Sequence, residues 1–306
     1  MGLLGLDLKT KWVVVAAAVA IAAAAGALYL ELSRSSLTVV KISTTTSLYA
    51  TGLLDYLAQQ YEASHPGVRI EFVAVGTGAA LKYAAQGDVC AVFVHAPNLE
   101  RKYLDMGVIA DRHTFAYNYF VIVGPADDPA NVSGAKDAVE AFARIYRAAE
   151  EGRAAFVSRG DNSGTHVRET AIWNRTGLDP SGRPWYKSCG CGMDQALIMA
   201  NELRAYTLSD LGTFTMFYRE GRLPNLKLLY QNSTDPNTIN IYSAYVVSSC
   251  TGSARQYTED FLKFVYDNQV QLVGTYGADK YGQPLFYPAR DNPEIEALWR
   301  QLAGSS

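Results

Sequence analysis

An α/β fold built as two lobes with a cleft between them is predicted by three observations. Apolar, β-rich runs alternate with segments whose apolar residues recur at helical spacing. Three of the strand-to-helix transitions are rich in Thr, Ser and Gly. A polar stretch, Gln231 to Asn240, reads as the return crossing from a second block of alternation to the first. At 306 residues and 49% hydrophobic content, the chain can bury one large or two medium cores.

The N-terminus is read separately. Trp12 to Leu30 is uncharged and almost wholly apolar, close to the roughly 20 residues a spanning helix needs. Lys9 and Lys11 precede it, so an N-terminal transmembrane helix is predicted with its short tail in the cytoplasm and the body outside. Ala25-Gly26-Ala27 has the form of a signal-cleavage site, which keeps a cleaved signal peptide as the alternative. Glu31 to Ser36 is a polar tether.

Strands are predicted at Leu37 to Ile42, Val68 to Val75, Val89 to Val94 and Tyr119 to Val123, the last ending at Gly124-Pro125, which reads as a hinge. Helices are predicted at Leu53 to Tyr61, Ala79 to Gln86 and Asn98 to Met106. The second block holds helices at Asp137 to Glu151, Thr165 to Arg175, Met193 to Arg204 and Ser209 to Glu220, with strands at Ala154 to Val157, Ala205 to Leu208 and Leu226 to Tyr230. Tyr242 to Val247 and the amphipathic run Tyr257 to Val273 rejoin the first block. The expected organisation is therefore 1–36 anchor and tether, 37–120 plus 241–306 lobe I, and 121–240 lobe II.

The chemistry sits where strands give way to helices. Thr44-Thr45-Thr46-Ser47, Gly76-Thr77-Gly78 and Ser158-Arg159-Gly160-Asp161-Asn162-Ser163-Gly164-Thr165-His166 each precede or open a helical pattern. A helix start offers unpaired N–H groups and the positive end of the dipole, while Ser and Thr add hydroxyls and Gly lets backbone come close. One such segment is an ordinary cap; three in this order point to an oxyanion site. A net charge of −3 argues against nucleic acid as a partner. His65, His95 and His113 are far apart, form no metal-ligand spacing and read as ordinary surface or turn residues. No metal site or cofactor is expected.

Cys90 opens the third strand and Cys250 follows a strand of the same lobe, which allows a bridge between them. Cys189 and Cys191, one glycine apart, leave open a local disulfide or two free thiols.

The order TTTS, VGTG, YNYFVIVGP, FVSRGDNSGTH, WY followed by GM, and AYTLSD resembles the tungstate-binding solute receptors of ABC importers, the TupA type, over roughly Lys41 to Val247. The resemblance implies a type II periplasmic-binding-protein fold with tungstate, or its near-equal molybdate, held between the lobes and passed to an ABC-transporter permease. By position it implies ligand contacts from Thr45, Thr46 and Ser47, from Gly76, Thr77 and Gly78, and from Arg159, Ser163, Gly164 and Thr165. The chain departs from the family at Ser188-Cys189-Gly190-Cys191-Gly192-Met193, where no cysteine pair is usual before the GM.

Tungstate carries no proton near neutral pH, so its site needs donors only, with Arg159 as the one cation of the three loops and Asp161 orienting it. Receptors for molybdate, sulfate or phosphate are the rival binders; phosphate, partly protonated, wants an acceptor in the site. A membrane-anchored sensor, or a serine hydrolase using Ser163 and His166, is the rival of another class. Ser163 does not stand in a Gly-x-Ser-x-Gly elbow, so no catalytic residue is assigned.

Overall fold

A computed structural model of the chain describes residues 12, 17–23 and 37–304. The chain divides into two compact units, Met1–Thr38 and Val39–Ser306. Among the described residues no helix is long and apolar enough to cross a membrane. Residues 17–23 are helical; apart from these and Trp12, the segment expected to span a membrane lies outside the described residues.

In the second unit, the β-branched run β1 (Thr38–Thr45) leads into a five-residue helix, α1 (Thr46–Ala50), and a left-handed Gly52 then separates this from α2 (Leu53–Ser64). Strand β2 (Val68–Val75), helix α3 (Thr77–Gln86), strand β3 (Ala91–Val94) and helix α4 (Pro97–Asp105) follow. The 17-residue β4 (Ile109–Pro125) and α5 (Ala138–Glu150) lead to β5 (Phe156–Ser158), α6 (Gly164–Thr176), β6 (Tyr186–Ser188) and α7 (Met193–Leu203). The remaining elements are β7 (Tyr206–Asp210), α8 (Leu211–Arg219), β8 (Leu226–Tyr230), β9 (Ile239–Val247), α9 (Gly252–Asp267), a π-turn at Gln269–Val273, α10 (Ala278–Tyr281) and α11 (Pro293–Gly304).

The strands follow the order β2-β1-β3-β9-β4-β7-β5-β6, with β8 also on β4. Strand β4 makes this one path through two sheets. Its residues Ile109 to Tyr119 pair antiparallel with β9, and Phe120 to Pro125 pair with β7 and β8. The crossing therefore lies between Tyr119 and Phe120, where Phe120 N also donates to Thr238 O at 2.6 Å. Period-two alternation gives each sheet two buried faces. In the first, Ile42, Phe93 and Ala244 pack toward α2 and α9, while Val92, Val94 and Tyr245 pack toward α3. In the second, Phe120 and Ile122 face α5 and α6, and Val121 and Val123 face α7 and α8.

Several expectations change. The strand expected at Tyr119 to Val123 starts at Ile109, its polar N-terminal half being held by β9 despite register shifts. Gly124-Pro125 is not the crossing: it pairs with Lys227 and Leu226 inside the second sheet. Gly124 is required by packing, because a Cβ there would lie 2.4 Å from Cδ1 of Tyr206. Both bridges form, Cys90–Cys250 with Cα atoms 5.0 Å apart and Cys189–Cys191 at 5.2 Å.

Burial of a carboxylate fixes α6 on the second sheet. Glu169 accepts from Ser158 Oγ at 2.8 Å, Tyr186 OH at 2.6 Å and Trp173 Nε1 at 3.3 Å. Desolvation by burial pushes its pKa up to about 7 against those three donors.

Two predictions follow from this packing. Tyr206 cannot retreat from position 124, since its hydroxyl is held by Asp128 Oδ1 at 2.8 Å and Ala130 N at 2.9 Å. Gly124→Ala should therefore cost about 1–3 kcal/mol, and an unchanged urea midpoint would show that the ring yields. The raised Glu169 pKa means that its favourable contribution is full below about pH 4.5 and lost as pH rises through about 7. Glu169→Gln should gain on the parent across that window, by at most about 1.4 kcal/mol per pH unit. Parallel parent and variant stability curves between pH 4.5 and 7 would contradict this assignment.

Candidate functional site

Three loops that leave the C-terminal ends of β1, β2 and β5 meet, and each opens a helix with the cap its sequence dictates. Thr45 is the N-cap of α1, its Oγ1 accepting from Leu48 N at 3.3 Å. Gly76 is the N-cap of α3, and Ser163 caps α6 by accepting from His166 N at 3.3 Å. Contacts across the two sheets then join them. Arg159 Nη2 donates to Thr46 Oγ1 at 2.8 Å. A Cβ on Gly76 would lie 2.9 Å from the Asp161 carbonyl, so glycine lets these loops touch. A Cβ on Gly164 would meet the His95 ring at 2.6 Å.

Arg159 is 1% exposed. Its Nη2 also reaches Asp161 Oδ2 at 2.5 Å, and its Nε donates to Cys191 O at 3.3 Å. Asp161 Oδ1 accepts from Ser163 N at 3.1 Å, so this carboxylate orients both the arginine and the start of α6. Arg159 Nη1 is buried with no hydrogen-bond partner among the described residues. The hydroxyls of Thr44, Thr77 and Thr165 are in the same condition. Leaving such groups unpaired costs about 1–3 kcal/mol each, so the loops present a set of buried polar atoms with unspent hydrogen-bonding capacity. Thr44 was legible as part of the TTTS run but was not among the expected contacts.

The remaining expected residues divide. Ser47 is buried and Thr46 half-buried. At Gly78 a Cβ would meet nothing within 4 Å, so packing does not demand its glycine.

His95 corrects the sequence reading, which took it for a surface or turn residue. It is 3% exposed and lies beside Ser47, its Nε2 at 3.2 Å from Ser47 Oγ and its Nδ1 at 2.8 Å from Asn240 Oδ1. Asn240 Nδ2 donates to Asn118 Oδ1 at 2.9 Å and to Tyr242 OH at 2.6 Å. The Asn240 oxygen therefore faces the ring, Nδ1 carries the proton, and Nε2 accepts from the Ser47 hydroxyl. Burial drives the His95 pKa down to about 4, keeping the ring neutral at pH 7. Asn118 stands in the YNYFVIVGP motif and Asn240 closes the polar stretch that begins at Gln231, but neither was among the expected site residues.

A second buried carboxylate, Asp210, caps α8 by accepting from Thr213 N at 2.8 Å and Thr213 Oγ1 at 2.7 Å. Burial raises its pKa and the charge of Arg159 opposes that rise. Both carboxylates coupled to Arg159 thus spend each oxygen on a protein donor. His166 turns Nδ1 toward Asn162 N at 3.0 Å, and Ser163 Oγ serves as a helix cap. The arrangement can hold a small anion; Ser163 and His166 are not arranged as nucleophile and base.

Residues 32–269 match the PBP superfamily domain. A putative ABC transporter anion-binding protein of Haloferax volcanii is 46% identical over 173 residues, 56% of this chain and 49% of the relative, so the chain spans about half of that protein's length. The tungstate-binding protein TupA of Peptoclostridium acidaminophilum is 35% identical over 252 residues, 81% of this chain and 84% of the relative. The solved structure of the tungstate-binding protein TupA of Desulfovibrio alaskensis G20 superposes with a TM-score of 0.68 at 36% identity, covering 83% of this chain and 100% of that one. With a two-lobed α/β fold, three capped loops at its centre and this match over most of its length, the chain belongs to the PBP superfamily.

Proposed function

We propose that this chain is an extracytoplasmic solute-binding protein that captures tungstate between its lobes and delivers it to an ABC transporter. The observation that carries the reading is the set of buried, unpartnered polar atoms at the loop junction, above all Arg159 Nη1 with the Thr77 and Thr165 hydroxyls. A bound oxyanion would take these donors and recover the cost of leaving them unpaired. The relatives named above support the identity of the ligand, one being named an ABC transporter anion-binding protein and two being named for tungstate.

On this reading the ligand-binding set is Thr45, Thr46, Ser47, Gly76, Thr77, Gly78, Arg159, Ser163, Gly164 and Thr165. The Thr45 and Ser163 hydroxyls already accept as helix caps; the Ser163 proton is left to give, while with the Ser47 proton on His95 the Thr45 hydroxyl is the donor in its 3.4 Å contact with Ser47 Oγ. The Ser47 proton is committed to His95, so its backbone N–H is the better donor. Lobe I is 37–120 with 241–306 and lobe II is 121–240, and binding draws the two together because donors come from both. Asp161 and Asp210 each engage both oxygens with protein donors, which leaves them less free than an unpaired carboxylate to accept the proton of hydrogen phosphate. The apolar run Trp12 to Leu30 serves as the membrane anchor that holds the body outside the cell.

Titration calorimetry of the full chain should give a tungstate Kd in the nanomolar range or below, about −12 kcal/mol or better, with molybdate equal or weaker. Tight phosphate binding without a tungstate response would overturn the reading. Arg159→Ala, which removes the buried cation of the three loops, should weaken tungstate binding by about 3–5 kcal/mol. A folded Arg159→Ala protein with parental affinity would take this residue out of the site.

A further inference from the structure

The segment that departs from the family pattern is the one that brackets Arg159. Strand β6 is a three-residue edge strand whose ladder with β5 runs from Phe156 opposite Tyr186 to Ser158 opposite Ser188. The pairing then continues past both strands: Cys189 N donates to Ser158 O at 3.0 Å, and Cys191 N donates to Arg159 O at 3.1 Å. Cys189 Sγ lies 3.6 Å from the same Arg159 carbonyl. On the side-chain end, Arg159 Nε donates to Cys191 O. Cys191 thus holds Arg159 twice, once by its backbone carbonyl and once by its guanidinium.

By sequence this clamp should be loose. Ser188-Cys189-Gly190-Cys191-Gly192 joins a short edge strand to α7, two of its five residues are glycine, and Gly190 turns through the left-handed region at φ 62°. Glycine-rich backbone loses the most entropy on ordering. The bridge between Cys189 and Cys191 closes the turn into a small ring and restricts the conformations it can reach without Arg159. The other bridge, Cys90–Cys250, ties β3 to the end of β9 in the first sheet and does not touch the arginine's partners.

We propose that the Cys189–Cys191 disulfide is a positioning element of the anion site, holding the Cys191 backbone as the clamp that aims the Arg159 guanidinium at the ligand. This rests on the receptor reading above and adds to it the group that fixes the arginine's direction. Supporting groups of this kind change affinity by about 10–100-fold where they orient a metal ligand, and the same logic applies to an arginine that orients a dianion.

The test is a double-mutant cycle on the full chain with sodium tungstate as the probe. Cys189→Ser with Cys191→Ser should raise the tungstate Kd at least tenfold at a temperature well below unfolding. In an Arg159→Ala background the same pair of changes should alter Kd by less than twofold, because the group being aimed is gone. Cys90→Ser with Cys250→Ser, made as a control, should lower the unfolding temperature while leaving Kd within twofold. If the Cys189 and Cys191 variant does not fold, the parent is treated with a phosphine reductant, opening of each bridge is scored by alkylation mass, and Kd is read on folded protein. Parental affinity after loss of this bridge, with Arg159→Ala still weak, overturns the inference and spares the receptor reading. Equal losses in the two backgrounds also overturn it, by making the bridge a structural tie. Parental affinity in Arg159→Ala takes the arginine out of the site and overturns the inference with it, while absence of tungstate binding by the parent overturns the receptor reading itself.

Discussion

Keeping a guanidinium out of water governs the architecture around it. Arg159 is 1% exposed, and removing a charge from water costs several kcal/mol unless partners replace its hydration. Asp161 supplies the counter-charge directly, Thr46 and the Cys191 carbonyl supply neutral partners, and Asp210 contributes through space. Thr46 opens α1, Asp161 shares the loop after β5 with the arginine, Asp210 ends β7 and Cys191 lies before α7, so these segments have to converge for the arginine to be tolerated at all. The compensation is incomplete at Nη1. Such a junction is suited to an anion because its own fold leaves one part of a buried cation unanswered.

The same economy explains the neutral shell on the other side. His95 is buried between the Ser47 loop and the first turn of α6, and its depressed pKa keeps a second positive charge from forming there. The Asn240, Asn118 and Tyr242 chain uses its amides and hydroxyl on one another and sets the ring's tautomer without adding net charge. The junction thus sets the Arg159 charge among oriented dipoles, an arrangement that keeps its strength where solvent is excluded.

Much of this was legible in the chain because it is local. The helix starts at Thr77 and Gly164 were written in Gly and Ser caps directly after apolar runs and lie within two residues of the expected Ala79 and Thr165, whereas the five-residue helix at Thr46 was not expected, the first helix having been read from Leu53. Arg159 was visible as the cation of its loop. What stayed hidden is long-range. His95 and Asn240 are 145 residues apart in sequence, and nothing near either one announces the other. Asn118 sits in what reads as a break before a short strand, and only β9 alongside shows that β4 runs through it. Gly124-Pro125 looked like a hinge for the composition reasons that usually hold, but the ring of Tyr206 had already claimed the space beside Gly124. The helix α11 went unread because its apolar face is completed by Ile239 and Ile241 of β9.

Strand β4 does more than connect. It runs 17 residues without interruption, and β9 lies against it up to Ile239 opposite Tyr119, where both chains pass from one sheet to the other. Two antiparallel rails of this kind resist sliding, since any shift of one strand along the other would break their ladder of backbone hydrogen bonds. They resist twist and bend far less, because a few dihedrals near Tyr119–Phe120 and Thr238–Ile239 can absorb a rotation while every other pair stays intact. Any relative movement of the two sheets would thereby be confined to an angle about one short axis, and a permease docking on both would be reading that angle much as a latch reads the position of a key.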